Sequence, residues 1–271
     1  MLITAMLFMA HAELDIRERL QGYTSAAHQG GIYALNANTL KRFESARKDG
    51  IDIIELDLRA SKDGKAVVYH DKTLNVWTKC KGEVQSKTLA EIKNCKFRFN
   101  KEKIPSFEEV LAWAQGRVVI NAEFKDLESI EDAVAAVQKF EAWEWVFFQT
   151  KGDPERYYRA RGLDERVALL FAPTTMEQLE WSLALHDERL IVIELSHPRM
   201  IKEDNIRLIH AHNKFALADT WKTGINEVLG YIQELFHARC KISFEMGFDI
   251  GVSNNPKSCT KQAQWANNNL P

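Results

Sequence analysis

The chain has 271 residues, 45% of them hydrophobic and 27% charged, with a net charge of −2. This is ordinary globular composition, enough for one large α/β domain or two small ones. The near-neutral balance, with no long basic run, argues against a broad nucleic-acid footprint but leaves room for a local phosphate site.

Residues 1–12, MLITAMLFMAHA, are mostly apolar and end in Ala10-His11-Ala12, the outline of a secretory h-region with an A-x-A cleavage site. The basic n-region is missing, the first Lys or Arg being Arg17. We read 1–12 as a signal peptide ahead of one domain, 13–271, in a periplasmic or extracellular protein. The alternative is an apolar N-terminal segment of a cytosolic one. No other stretch approaches the ~20 apolar residues of a membrane span.

Further along, 24–28 reads as a short strand and 39–48 as a helix with Asn38 or Thr39 as its cap. Strands are expected at 52–60 and 66–70, followed by an irregular polar insertion over about 71–104. Ser106 with Glu109 three residues on is a capping-box pattern opening a helix. Strands at 118–125, 146–150, 167–171, 190–196, 215–219 and 248–253 then alternate with helices at 129–143, 154–161, 175–185, 203–212 and 226–238. A last helix runs from Pro256. About eight βα units at this size predict an α/β fold, a (β/α)8 TIM barrel with a polar insertion after the second strand. A doubly wound open sheet is the alternative, but no Gly-rich phosphate fingerprint is present.

The stretch IDIIELDLRASKDGKAVVYHD, 51–71, carries the densest chemistry. Ile51, Ile53, Glu55, Asp57 and Arg59 share one strand face, and Ile54, Leu56 and Leu58 the other. Carboxylates in a core are costly unless paired or bound to a metal, and two acids at i, i+2 suit a hard divalent cation. The strand at 118–125 repeats the arrangement, with Asn121, Glu123 and Lys125 on one face. In a barrel, chemistry belongs at the C-terminal ends of the strands. His28, the Glu55/Asp57/Arg59 set, His70, Glu123, Lys125, Gln149, Thr150, Glu194, Ser196, His197 and Asp219 to Trp221 all fall there. His210 and His212 lie two apart on a helix and read as surface residues. Cys80, Cys95, Cys240 and Cys259 have no CxxC spacing, which argues against zinc. Sequence-local pairing would join 80 to 95 and 240 to 259, but four cysteines allow three connectivities.

In chain order these motifs are His28-Gln29-Gly30, Glu55-Leu56-Asp57, Lys62-Asp63-Gly64, Val67-Val68-Tyr69-His70-Asp71, IPSFEEVL at 104–111, Glu123-Phe124-Lys125 and GFDIGVSNNP at 247–256. The chain thereby resembles the glycerophosphodiester phosphodiesterase family, densely from His28 to Lys125 and more loosely afterwards. The resemblance implies a TIM barrel that cleaves a phosphodiester. It implies Ca²⁺ or Mg²⁺ on Glu55, Asp57 and Glu123, general acid and base roles for His28 and His70, and phosphate contact by Lys125. The expected partner is a small glycerophosphodiester or a lipid head group. Gln29 stands where the family has Arg, keeping hydrogen-bonding capacity but losing a cation. Asn254 replaces an Asp in the closing motif, which reads as structural. Trp221 is a displaced candidate for lining the substrate pocket.

Three functions compete. The first is a metal-dependent phosphodiesterase releasing glycerol 3-phosphate and an alcohol. The second is a phospholipase D-type enzyme on lysophospholipid or sphingolipid head groups, for which Phe97, Phe99 and Trp77 would supply an apolar groove. The third is a degenerate barrel that binds phosphate esters without turnover, and Gln29 is its only support.

Overall fold

The computed structural model describes residues 15–31, 37–99, 101–220 and 239–271. The expected signal segment 1–12, the expected helix 226–238 and Trp221 lie outside the described residues. Among the described residues nine strands form one sheet: β1 Thr24–Ala27, β2 Ile53–Ala60, β3 Ala66–Val68, β4 Val119–Phe124, β5 Val146–Gln149, β6 Leu169–Phe171, β7 Leu190–Glu194, β8 Phe215–Asp219 and β9 Ile250–Ser253. β1 pairs in parallel with both β2 and β9, which closes the ring. Eight strands are parallel; β3 alone is antiparallel and makes a hairpin with β2. This is the expected TIM barrel.

Period-two alternation sorts the side chains into two cores. Inside the barrel sit Ile53, Val119, Phe147, Leu170, Val192, Leu217 and Ile250. Ile16, from the short helix Ile16–Arg19, and Leu20, which caps that helix, close its N-terminal end. Outside it, Ile54, Leu56, Leu58, Ile120, Ala122 and Phe124 pack against helices such as Phe107–Ala114 and Ile130–Lys139. Each fully buried large apolar side chain contributes roughly 1.5–3 kcal/mol. The acids lie on the inner face but above this layer, at the C-terminal end. The β2–β4 register pairs Asp57 with Glu123 and Glu55 with Asn121, so three of the expected site residues are neighbours by backbone pairing alone.

Several expected boundaries shift for identifiable reasons. β1 stops at Ala27 because Gln29 takes a left-handed conformation (φ 51°) and His28–Gly30 forms a 3-10 turn. The helix expected over 129–143 ends at Lys139, and Glu141 (φ 51°) turns the chain back. The helices Ile16–Arg19 and Cys240–Glu245 carried too short a pattern to be read. The insertion is more than a solvated loop. It buries Tyr69, Leu74, Val84, Ile92, Cys95, Phe97 and Ile104 in a core of its own. Within it, the helix Leu89–Asn94 starts from a Thr88–Glu91 capping box. Both disulfides are the sequence-local ones, Cys80–Cys95 and Cys240–Cys259. Among the described residues no helix is long and apolar enough to cross a membrane.

Candidate active site

The C-terminal mouth of the barrel holds a cavity of about 120 Å³, lined by His28, Glu55, His70, Glu123, Lys125 and Lys151 together with Asn121, Gln149, Glu194 and Asp219. Oxygens of Glu55, Asp57 and Glu123 all lie within 4.8 Å of one another, and all three residues are buried. Three carboxylates this close repel, which is tolerable only with compensating positive charge. Lys125 supplies part of it, with Nζ 2.9 Å from Asp57 Oδ1 and also on Glu123 Oε1. Lys151 Nζ lies 2.8 Å from Glu123 Oε2.

The three acids respond differently. Burial, reinforced by the charges of Asp57 and Glu123, pushes the Glu55 carboxyl well above its usual range. Burial works on Asp57 in the same direction. There Lys125, both histidines and the Asn38 amide outweigh it, and the carboxyl falls below its ordinary value. Asn38 Nδ2 donates to Asp57 Oδ2 at 2.7 Å, and the Gln29 backbone N–H donates to Glu55 Oε2 at 2.8 Å. Gln29 thus reaches the site through its backbone. The turn that aims this N–H requires glycine next to it. Gly30 has φ 78°, and a Cβ there would sit 2.7 Å from the Phe43 ring.

The donor set fits a hard divalent cation: three clustered carboxylates, all oxygen ligands, on rigid adjacent strands. A further observation agrees. Asn121 Oδ1 is buried without a hydrogen-bond partner among the described residues and lines the same cavity, so an acceptor oxygen is left facing it.

The two histidines come from different structures. His28 begins the 3-10 turn after β1, and its Nδ1 is 2.8 Å from Asn254 Oδ1 at the end of β9. Burial pushes the His28 imidazole below its ordinary value, against the pull of Asp57 and Asp219. His70 stands just past β3, its Nδ1 2.8 Å from Asp71 Oδ1. Asn254 and Asp71 are thus each placed to orient one imidazole.

Other candidates lie elsewhere. Arg59 donates to the His70 carbonyl at 2.8 Å and faces Asp126 at 3.7 Å, beside the cavity. His197 Nδ1 accepts from the Arg199 backbone N–H at 3.3 Å and does not line the cavity. His210 is at the surface, paired with Asp249. Lys151 was not singled out from the sequence. It follows the polar strand end Gln149-Thr150 and precedes the helix-opening Asp153-Pro154, which places it in a βα loop at the catalytic end. That position was its available signal.

Fold and donor set together define a TIM barrel with a buried three-carboxylate cluster, two histidines and two lysines at the C-terminal ends of its strands. The model of the glycerophosphoryl diester phosphodiesterase family matches residues 28–221, and the chain belongs to that family. The chain is 35% identical over 136 residues to the uncharacterized protein YqiK of Bacillus subtilis, covering 46% of this chain and 56% of that protein. It is 38% identical over 106 residues to a glycerophosphodiester phosphodiesterase of Caldanaerobacter subterraneus, covering 36% and 44%. The matched stretches thus span about half the length of these relatives. Among solved structures, a glycerophosphoryl diester phosphodiesterase from Parabacteroides distasonis superposes with a TM-score of 0.74 at 17% identity, covering 93% of this chain and 92% of that one. An Oleispira antarctica phosphodiesterase in complex with the product sn-glycerol-3-phosphate gives 0.71 at 20% identity, covering 89% and 96%. These likenesses speak to the shared barrel.

Proposed function

We propose that the protein is a divalent-cation-dependent phosphodiesterase that splits glycerophosphodiesters into glycerol 3-phosphate and an alcohol. The observation that carries this reading is the convergence of Glu55, Glu123, His28, His70 and Lys125 on one cavity, with Asp57 clustered against Glu55 and Glu123. Glu55, Asp57 and Glu123 would hold Ca²⁺ or Mg²⁺, which when bound supplies positive charge against the phosphate oxygens. Lys125 adds a second positive charge beside them.

The histidines divide the proton transfers. Burial keeps His28 neutral near pH 7, and the Asn254 oxygen accepts its Nδ1–H, leaving Nε2 as an acceptor. His28 in this arrangement takes the proton from the attacking oxygen. The Asp71 carboxylate 2.8 Å from His70 Nδ1 fixes the orientation of that ring, and His70 takes the complementary role of donating to the leaving alkoxide. Both disulfides and the apolar N-terminal segment support a periplasmic or extracellular location, since disulfides persist in oxidising compartments.

The test is to incubate purified protein with glycerophosphocholine, glycerophosphoethanolamine and a lysophospholipid, each with Ca²⁺, Mg²⁺ or EDTA. Release of glycerol 3-phosphate that EDTA abolishes is the expected result. His28→Ala and His70→Ala are expected to lower kcat by roughly a hundredfold or more while retaining cation binding. Turnover of the lysolipid alone, or binding without products, would overturn the reading.

A further inference from the structure

Three exposed large apolar residues lie together on the insertion: Val76 (57% accessible), Trp77 (38%) and Phe99 (60%). They sit on two segments held side by side. The Arg98 backbone N–H donates to the Trp77 carbonyl at 2.9 Å, and Thr78 faces Phe97 across an antiparallel bridge. The Arg98 guanidinium donates to the carbonyls of Val76 (2.9 Å) and Asn75 (3.0 Å). Cys80–Cys95 staples the same pair. Phe97 packs into the insertion core, 6.1 Å from the Tyr69 ring, whereas Phe99 lies in the turn closed by the Lys101 backbone N–H on the Phe97 carbonyl and is exposed.

The surroundings are strongly basic. Residues 75–82 and 95–103 contain six cations, Lys79, Lys81, Lys96, Arg98, Lys101 and Lys103, and one acid, Glu102. All six cations are exposed, and Glu102 lies 3.8 Å from Lys41. In a chain of net charge −2 this is a local concentration rather than a general property. Solvent-facing aliphatic and aromatic side chains ringed by lysines match the interface of an anionic bilayer, where rings sit at head-group depth and ammonium groups reach lipid phosphates. A nucleic-acid face would use the cations and the rings but has no use for an exposed valine.

We propose that this stapled, basic tip docks the protein on an anionic lipid bilayer, with Trp77 and Phe99 entering the head-group layer. The proposal goes beyond the phosphodiesterase reading and does not depend on it. The insertion is rooted at His70-Asp71, so docking would bring the barrel mouth towards the lipid surface.

The test is sedimentation of the full chain with vesicles of phosphatidylcholine, with and without phosphatidylglycerol, at low and high salt. The wild type is expected to pellet with the anionic vesicles and to be released by salt. Trp77→Ser/Phe99→Ser, with an unchanged melting temperature, is expected to bind about tenfold or more weakly, and Lys79→Glu/Lys101→Glu likewise. Three results would each overturn the proposal: no pelleting of the wild type with anionic vesicles, equal pelleting of both variants, or capture of a single-stranded oligonucleotide without any vesicle binding.

Discussion

Lys151 Nζ lies 2.8 Å from Glu123 Oε2, while Lys125 holds the other oxygen of the same carboxylate. One cation would pair Glu123. The second comes from a residue in the left-handed region (φ 54°), a conformation that costs of order 1 kcal/mol in a lysine. Such strain in a cavity-lining lysine points to substrate rather than structure. Lys151→Met is therefore expected to lower kcat/KM by roughly ten- to a hundredfold. Ca²⁺ affinity, measured by calorimetry, should be unchanged or tighter, because Glu123 loses a competing cation. Lys151→Arg should recover part of the loss.

The Asn254 oxygen, 2.8 Å from His28 Nδ1, is a neutral orienting group where the family motif has a carboxylate. Replacing it by Asp adds a negative charge beside the imidazole. A carboxylate there favours the charged form, so the His28 pKa rises from its depressed value. Asn254→Asp is expected to move the acid limb of the kcat/KM profile to higher pH, and Asn254→Ala to lower kcat by about tenfold without moving that limb upward. Steady-state rates across pH 5–9 check both (a range spanning roughly the ordinary histidine titration).

The sequence carried the inner face of β2 and β4 almost completely. Glu55, Asp57, Glu123 and Lys125 are fixed by alternation, and alternation is local. What it did not carry depends on closure of the ring. Asn254 meets His28 only because β9 pairs with β1, across 226 residues of sequence. Asn38 meets Asp57 through a turn whose φ of 60° no spacing reveals. Gln29 drew attention for its side chain, yet its backbone N–H makes the contact with Glu55. The insertion looked polar because its apolar residues, from Leu74 to Ile104, are scattered rather than periodic; the disulfide and the β2–β3 hairpin gather them.

Cys240 and Cys259 are fully buried and join the helices Cys240–Glu245 and Pro256–Asn269 behind β9. Their sequence separation of 19 predicts stabilisation of about 3 kcal/mol through the unfolded chain. Cys240→Ala/Cys259→Ala is expected to lose roughly that much in urea unfolding. The joined helices flank the Asn254 turn, so the variant should also show a lower kcat. Cys80→Ala/Cys95→Ala, at a separation of 15, should lose a similar amount of stability.

Asp187 organises the N-terminal end of the barrel, far from the cavity. Its Oδ2 accepts from Tyr157 Oη at 2.5 Å and Arg161 Nε at 2.9 Å, and its Oδ1 from the Arg189 backbone N–H at 2.9 Å. Burial raises the carboxyl, but these donors together outweigh it and hold the carboxyl below its ordinary value. A depressed folded-state pKa contributes stability that is fully present above the unfolded value, about 4, and disappears as pH falls through the folded one. Asp187→Asn keeps the shape but weakens three charge-assisted bonds, at a cost of roughly 1–3 kcal/mol at pH 7. The gap between wild type and variant should therefore be constant from neutral pH down to about pH 5 and close below about pH 4. Thermal melts of both proteins at matched ionic strength check this; a gap that persists undiminished in acid would show that packing rather than charge holds the corner.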